Sequence, residues 1–146
     1  MRIQRRLGMA LVGAATSVLA FAGPASAAVI TGTSGDDTII GASEVSERIY
    51  GGGGNDHLYG QLGMDTFVFA PHDGNDVIHD FVSGIDKINL AGSFGVLLNE
   101  VGEVDIEQWL STASVLGPDL MLHLDEGQNI LLKNTISVNP LDIIHS

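Results

Sequence analysis

The sequence predicts an all-β solenoid of short strands and Gly/Asp-rich turns, closed by a β-rich C-terminal cap that holds at most one short helix. Three observations lead there. A nine-residue frame, G-x-x-G-x-D-x-(large apolar)-x, recurs between residues 32 and 89, and a fixed short period is the mark of a repeat architecture. The frame leaves only three residues per copy for a strand, too few for a helix. After Ala91 the frame stops and apolar residues begin to alternate with polar ones, as a half-buried strand requires.

The elements follow in chain order. Arg2, Arg5 and Arg6 precede an apolar run over residues 7–21, and Ala25-Ser26-Ala27 supplies a small–x–small cleavage pattern. Residues 1–27 are therefore expected to be a signal peptide, with a mature chain starting near Ala28 and exported. The run is broken by Gly8, Gly13 and Gly23-Pro24 and is short for a membrane span, so no span is expected in the mature chain.

Residues 28–91 are expected to form the repeat unit. Residues 51–59 and 60–68 meet the frame directly, with Gly51, Gly52, Gly54 and Asp56 in the first and Gly60, Gly63 and Asp65 in the second. Residues 32–40 fit through Gly32, Gly35, Asp37 and Ile39; residues 71–79 through Gly74, Asp76 and Ile78; residues 81–89 through Gly84, Asp86 and Ile88. Between the first and second good copies lies a degenerate one, residues 41–50, with an extra residue and Glu47 in the acidic place.

Each part of the frame has a physical task. Glycine permits positive φ and close backbone approach, so carbonyl oxygens can turn inward. Aspartate adds a hard anionic oxygen. Several hard oxygens suit calcium, whereas softer metals would call for His or Cys. The apolar residue two places on points to the opposite side of its strand from its neighbours and fills the interior.

The copy at residues 51–59 resembles the RTX, or hemolysin-type, calcium-binding repeats. Asp65-Thr66-Phe67-Val68-Phe69, Gly74-Asn75-Asp76-Val77-Ile78, Asp80-Phe81 and 84–90 are also similar to the tail beyond the repeats of serralysin-type metalloproteases. The resemblance implies a parallel β-roll in which each repeat makes half a turn and calcium lies between successive turns on one side. One side would align Asp37, Asp56 and Asp76 over Ile39, Leu58 and Ile78. The other would align Glu47, Asp65 and Asp86 over Ile49, Phe67 and Ile88. The implied metal set is these five aspartates with Gly32, Gly35, Gly51, Gly52, Gly54, Gly60, Gly63, Gly74 and Gly84. Calcium is expected between the turns of Asp37 and Asp56, of Asp56 and Asp76, and of Asp65 and Asp86. Glu47 is longer than Asp and its turn lacks the fourth-position glycine, so it departs from the pattern.

Residues 92–146 are expected to cap the open end of the solenoid. Residues 100–116 read as a short helix with Val104, Trp109 and Leu110 on its apolar stripe, ended by Pro118. Leu120, Leu122 and Leu124, a turn at Asp125-Glu126-Gly127-Gln128, and Ile130-Leu131-Leu132 read as a β-hairpin.

Composition excludes several classes. The net charge is −12, and loss of the three N-terminal arginines takes it to −15, leaving Arg48, Lys87 and Lys133. No clustered basic surface remains for nucleic acid or an anionic membrane. Cysteine is absent, so no disulfide or thiolate site exists. The five histidines show no H-E-x-x-H spacing and read as solvated strand or turn residues; no G-x-S-x-G occurs. The chain is therefore expected to be a secreted calcium-binding module, not an enzyme, with an extracellular protein or surface as its partner. The competing reading is a structural or adhesive surface protein that uses the roll as a spacer.

Overall fold

The computed structural model describes residues 17–19, 28–92, 105–124 and 127–146, the first three through their backbone. The strands after each Gly/Asp turn alternate between two sheets. Strands β3 (Thr38–Ile40), β5 (His57–Tyr59) and β7 (Asn75–Ile78) lie parallel in one; β2 (Ala28–Thr31), β4 (Glu47–Tyr50), β6 (Thr66–Phe69) and β8 (Lys87–Leu90) lie parallel in the other. The result is the expected all-β parallel roll.

Why the frame folds this way is visible in its burial. In β3 and β5 only the middle residue is buried, because a three-residue strand turns one side chain inward. Register then stacks those residues into two columns. Ile39, Leu58, Ile78, Leu132 and Leu120 are cross-strand partners in one sheet; Ile30, Ile49, Phe67, Ile88 and Ile143 are partners in the other. All ten belong to one core cluster. Burying each stabilises the fold by about 1.5–3 kcal/mol, before the cost of ordering the chain.

The sheets run on past Ala91. Strand β11 (Asn129–Leu132) continues the first sheet parallel to β7, and β12 (Ile143–His145) continues the second parallel to β8. Strands β10 (Asp119–His123) and β9 (Ser114–Leu116) then close the first sheet antiparallel. The hairpin of β10 and β11 is the one expected, although Asp125 and Glu126 of its turn lie outside the described residues.

The helix expectation needs correction. Helix α1 spans only Ile106–Leu110, capped by the Asp105 side chain on the Gln108 N–H, and Val104 lies outside the described residues. Residues 114–116, expected as helix, are strand β9. Pairing with β10 supplies partners for a backbone that β-branched Val115 disfavours as helix. Gly117 (φ +69°) and Pro118 form the turn between those strands instead of ending a helix. Trp109 remains an anchor: it is buried, and its indole N–H donates to the His123 carbonyl at 2.6 Å.

Strand β1 (Ser17–Leu19), from the apolar run expected to be a leader, lies parallel to β3 with Val18 opposite Ile39. The rest of residues 1–27 lies outside the described residues.

Candidate metal centre

The turns deliver each frame acid to the start of its strand, and the roll stacks these acids in two ladders. In the first, the Asp37 N–H donates to Asp56 Oδ1 at 2.8 Å and the Asp56 N–H to Asp76 Oδ1 at 2.9 Å. In the second, the Glu47 N–H donates to Asp65 Oδ1 and the Asp65 N–H to Asp86 Oδ1, both at 3.0 Å. One carboxylate oxygen thus ties each rung to the one before it. The other oxygen is left over. Asp56 Oδ2, Asp65 Oδ2, Asp76 Oδ2 and Glu47 Oε1 are buried with no hydrogen-bond partner. Buried carboxylate oxygens without partners are costly, and cations seated along each ladder would offset them.

Electrostatics agrees. Burial, the largest cause, pushes the Asp56 carboxyl up to about 6 and those of Asp65 and Asp76 up to about 7; neighbouring acids, Asp37 for Asp56 and Asp56 for Asp76, add to the rise. Burial also raises Glu47 and Asp86. Stacked carboxylates with no cation between them favour protons, so a bound divalent cation would displace those protons.

The glycines keep this space open. A Cβ at Gly51 would lie 2.3 Å from Asp56 Oδ2, and one at Gly60 would lie 2.6 Å from Asp65 Oδ2, so in these two frames the first glycine faces the leftover oxygen. Gly54 (φ +111°) and Gly74 (φ +107°) occupy the left-handed region, and a Cβ at Gly74 would lie 1.9 Å from the Gly54 carbonyl oxygen. Backbone carbonyls of one turn therefore crowd the next, which is the donor type calcium takes besides carboxylate. Among the described residues no three His, Cys, Asp or Glu side chains converge, so a cation here depends on those carbonyls.

The remaining expected residues fall as follows. Gly32 faces Asp37 Oδ2, while Gly52 and Gly63 abut the Thr33 and Val45 carbonyls of the preceding turns. Gly35 differs: it lacks a positive φ, a Cβ there would meet nothing, and Asp37 is held by the Thr33 N–H and hydroxyl at 2.5 and 2.8 Å. Gly84 has φ +86° but open space around it. Asp86 is satisfied on both oxygens, by the Asp65 and Val82 N–H groups. Glu47, which departs from the frame, is stacked on Asp65 and presents a buried oxygen like the aspartates.

Three acids escaped sequence reasoning. Asp80 accepts from the Gly60 and Gln61 N–H groups, both at 2.9 Å. Asp142 is buried and accepts from Ser83 Oγ at 2.7 Å, the Gly84 N–H at 2.9 Å and Lys87 Nζ at 2.8 Å. Burial opposes its charge, but these three donors outweigh burial and hold its carboxyl below the usual range. Asp119 accepts from Lys133 Nζ and the Asn134 N–H. An ammonium from the chain itself thus sits beside the last turn of the second ladder, whereas Lys133 and Asp119 pair at the opposite end of the first sheet's strands. Replacing Lys87 with Met should destabilise the folded protein by about 1–3 kcal/mol, since Asp142 stays buried with a donor missing; urea denaturation measures this, and an unchanged midpoint would refute it.

A family model described as Peptidase M10 serralysin C terminal matches residues 22–135. No curated protein matches the chain. Among solved structures, the extracellular lipase LipA from Serratia marcescens superimposes with a TM-score of 0.72 at 23% identity, over 89% of this chain and 19% of the lipase chain. At that identity the likeness is one of fold, and this chain spans less than a fifth of the lipase.

Proposed function

Because the chain belongs to the Peptidase M10 serralysin C-terminal family, we propose that it is a secreted calcium-binding module that folds as its turns close on the ions. The observation that carries this reading is the row of partnerless buried oxygens on Asp56, Asp65, Asp76 and Glu47. Asp56 with Asp37, Asp56 with Asp76, and Asp65 with Asp86 would hold calcium, together with carbonyls of the glycine turns. Glu47 joins Asp65 as a fourth pair on the evidence of its orphan oxygen. Calcium would neutralise the stacked carboxylates and bind one turn to the next; no bond-making step is involved. Export would follow cleavage after Ala27, which would also remove β1 from the edge of β3.

Asp56 serves two pairs and Asp37 one. Asp56→Ala should therefore lower calorimetric calcium stoichiometry more than Asp37→Ala. Equal stoichiometries would rule out the arrangement.

The spacer or adhesive reading draws on a different observation. Met64 and Ile85 sit at equivalent places in successive turns, immediately before Asp65 and Asp86, and both are exposed, as are Leu62 and Val82. An exposed apolar row beside the ladder favours contact with an extracellular partner.

A further inference from the structure

On the outer face of the first sheet, Ser114 Oγ lies 2.8 Å from His123 Nε2, and His123 Nδ1 lies 2.8 Å from Asn129 Oδ1. The order of atoms is that of a nucleophile, its general base and the group that orients the base. We propose that Ser114 is an activated nucleophile, with His123 as its base, that accepts acyl groups from short-chain esters.

Proton positions follow from the amide. Asn129 Nδ2 donates to Asn75 Oδ1 at 3.0 Å and to the Gly127 carbonyl at 2.7 Å. The Gly127 carbonyl can only accept, so the nitrogen must lie on that side and Oδ1 faces His123, where it can only accept. His123 Nδ1 must then carry the hydrogen, and Nε2 is the bare nitrogen that takes the Ser114 hydroxyl proton. A free-standing serine–histidine contact leaves the tautomer open; here the amide decides it. Trp109 fixes the backbone of the base by donating to the His123 carbonyl.

The surroundings indicate the substrate. Register places Ser114 beside Met121, Met121 beside Leu131, and Leu131 beside Val77 on the same outer face. An apolar row thus leads away from the hydroxyl across three strands, while the base sits in the neighbouring polar row of Asn129 and Asn75. All three row residues are partly exposed, so a short acyl chain can lie along them from solvent. Strand β9 ends the sheet among the described residues, and no other described strand covers the approach to Ser114 along that edge.

The reaction balances with water alone. Ser114 Oγ forms a bond to the acyl carbon as its proton passes to His123 Nε2. The bond to the leaving oxygen breaks, and the alcohol departs with that proton. Water, activated by the same nitrogen, then hydrolyses the acyl-serine. Asn129 is neutral, so it orients His123 without offsetting its positive charge, and the effect should stay within the range of general-base help, about 10²–10⁴-fold.

The expectation that the chain is no enzyme rested on local motifs, and positions 114, 123 and 129 form none. They meet only because β9, β10 and β11 pair antiparallel. The test uses the full chain in millimolar calcium with p-nitrophenyl butyrate and a fluorophosphonate probe. The probe should form an Ser114 O–P bond with loss of fluoride, located by peptide mass spectrometry. Ester turnover should fall at least about tenfold in both Ser114→Ala and His123→Gln. Asn129→Leu, which frees the imidazole tautomer, should slow labelling while Ser114 stays present. Turnover that persists in Ser114→Ala would assign it to surface imidazoles and overturn the proposal. So would a wild-type protein, folded by circular dichroism, in which Ser114 remains unlabelled. Labelling of the wild type decides the matter even where a variant fails to fold.

Discussion

Removing calcium from the folded protein should abolish most of its strand signal in far-ultraviolet circular dichroism, and millimolar calcium should restore it. The ladders are the reason. Each rung brings a buried carboxylate onto the next, in a chain of net charge −12 without a single cysteine for a covalent staple. Extracellular calcium modules bind with Kd of about 10⁻⁴ M, so millimolar calcium adds roughly 1.4 kcal/mol per site by mass action. The three aspartate pairs, taken as independent sites, give about 4 kcal/mol, against a total of about 5–15 kcal/mol for a small domain. Magnesium should restore the signal poorly, because it demands rigid octahedral geometry and gives up its waters reluctantly. The C-terminal strands, with Leu120, Leu122, Ile130 and Leu132 buried, should keep part of their order in chelator. A spectrum and a melting curve both unchanged by chelation would show that calcium does not hold this fold.

Acid should rescue the chelated protein. Without metal, the folded-state carboxyls of Asp56, Asp65 and Asp76 stand at about 6, 7 and 7, above the ordinary value of 3.8. The folded chain therefore holds more protons than the unfolded chain between those values. Stability from these groups is fully present below the ordinary carboxylate pKa and is lost as pH rises through 6 to 7. In chelator, the melting temperature should be higher near pH 5 than near pH 8. Calcium affinity should move the opposite way, weakening as pH falls below about 7, because each ion must displace those protons. Paired melting curves and calcium titrations at the two pH values check both arms. A chelated melting temperature that does not depend on pH would contradict the protonated ladder.

What could be read from the sequence was what one turn decides for itself. Gly51-Gly52-Gly53-Gly54-Asn55-Asp56 dictates its own bend, its acid and the inward place of Leu58, whereas the alignment of alternate copies into two columns came from the resemblance to the RTX repeats. The degenerate copy was legible in its strand but not in its chemistry. Glu47 Oε2 is taken by the Ala42 N–H of its own irregular turn and Oε1 is left buried without a partner, an outcome no frame position announces. Asp142 illustrates the other limit. Its partners Ser83, Gly84 and Lys87 lie more than fifty residues away, and no local pattern announces them. The segment at 114–116 was misread for the same reason, since β10 and not its own propensity makes it a strand.

The alternation of strands between two sheets imposes a parity on the chain's length. Removing one nine-residue copy would send every later strand to the opposite sheet. Acids on either side of the cut would then meet across ladders: with residues 71–79 lost, Asp86 would stack on Asp56 instead of Asp65. Removing or adding two copies leaves every later strand where it was. A roll of this kind can therefore lengthen or shorten only by whole coils, which makes the pair of nonapeptides, rather than the single motif, its unit of inheritance and of engineering.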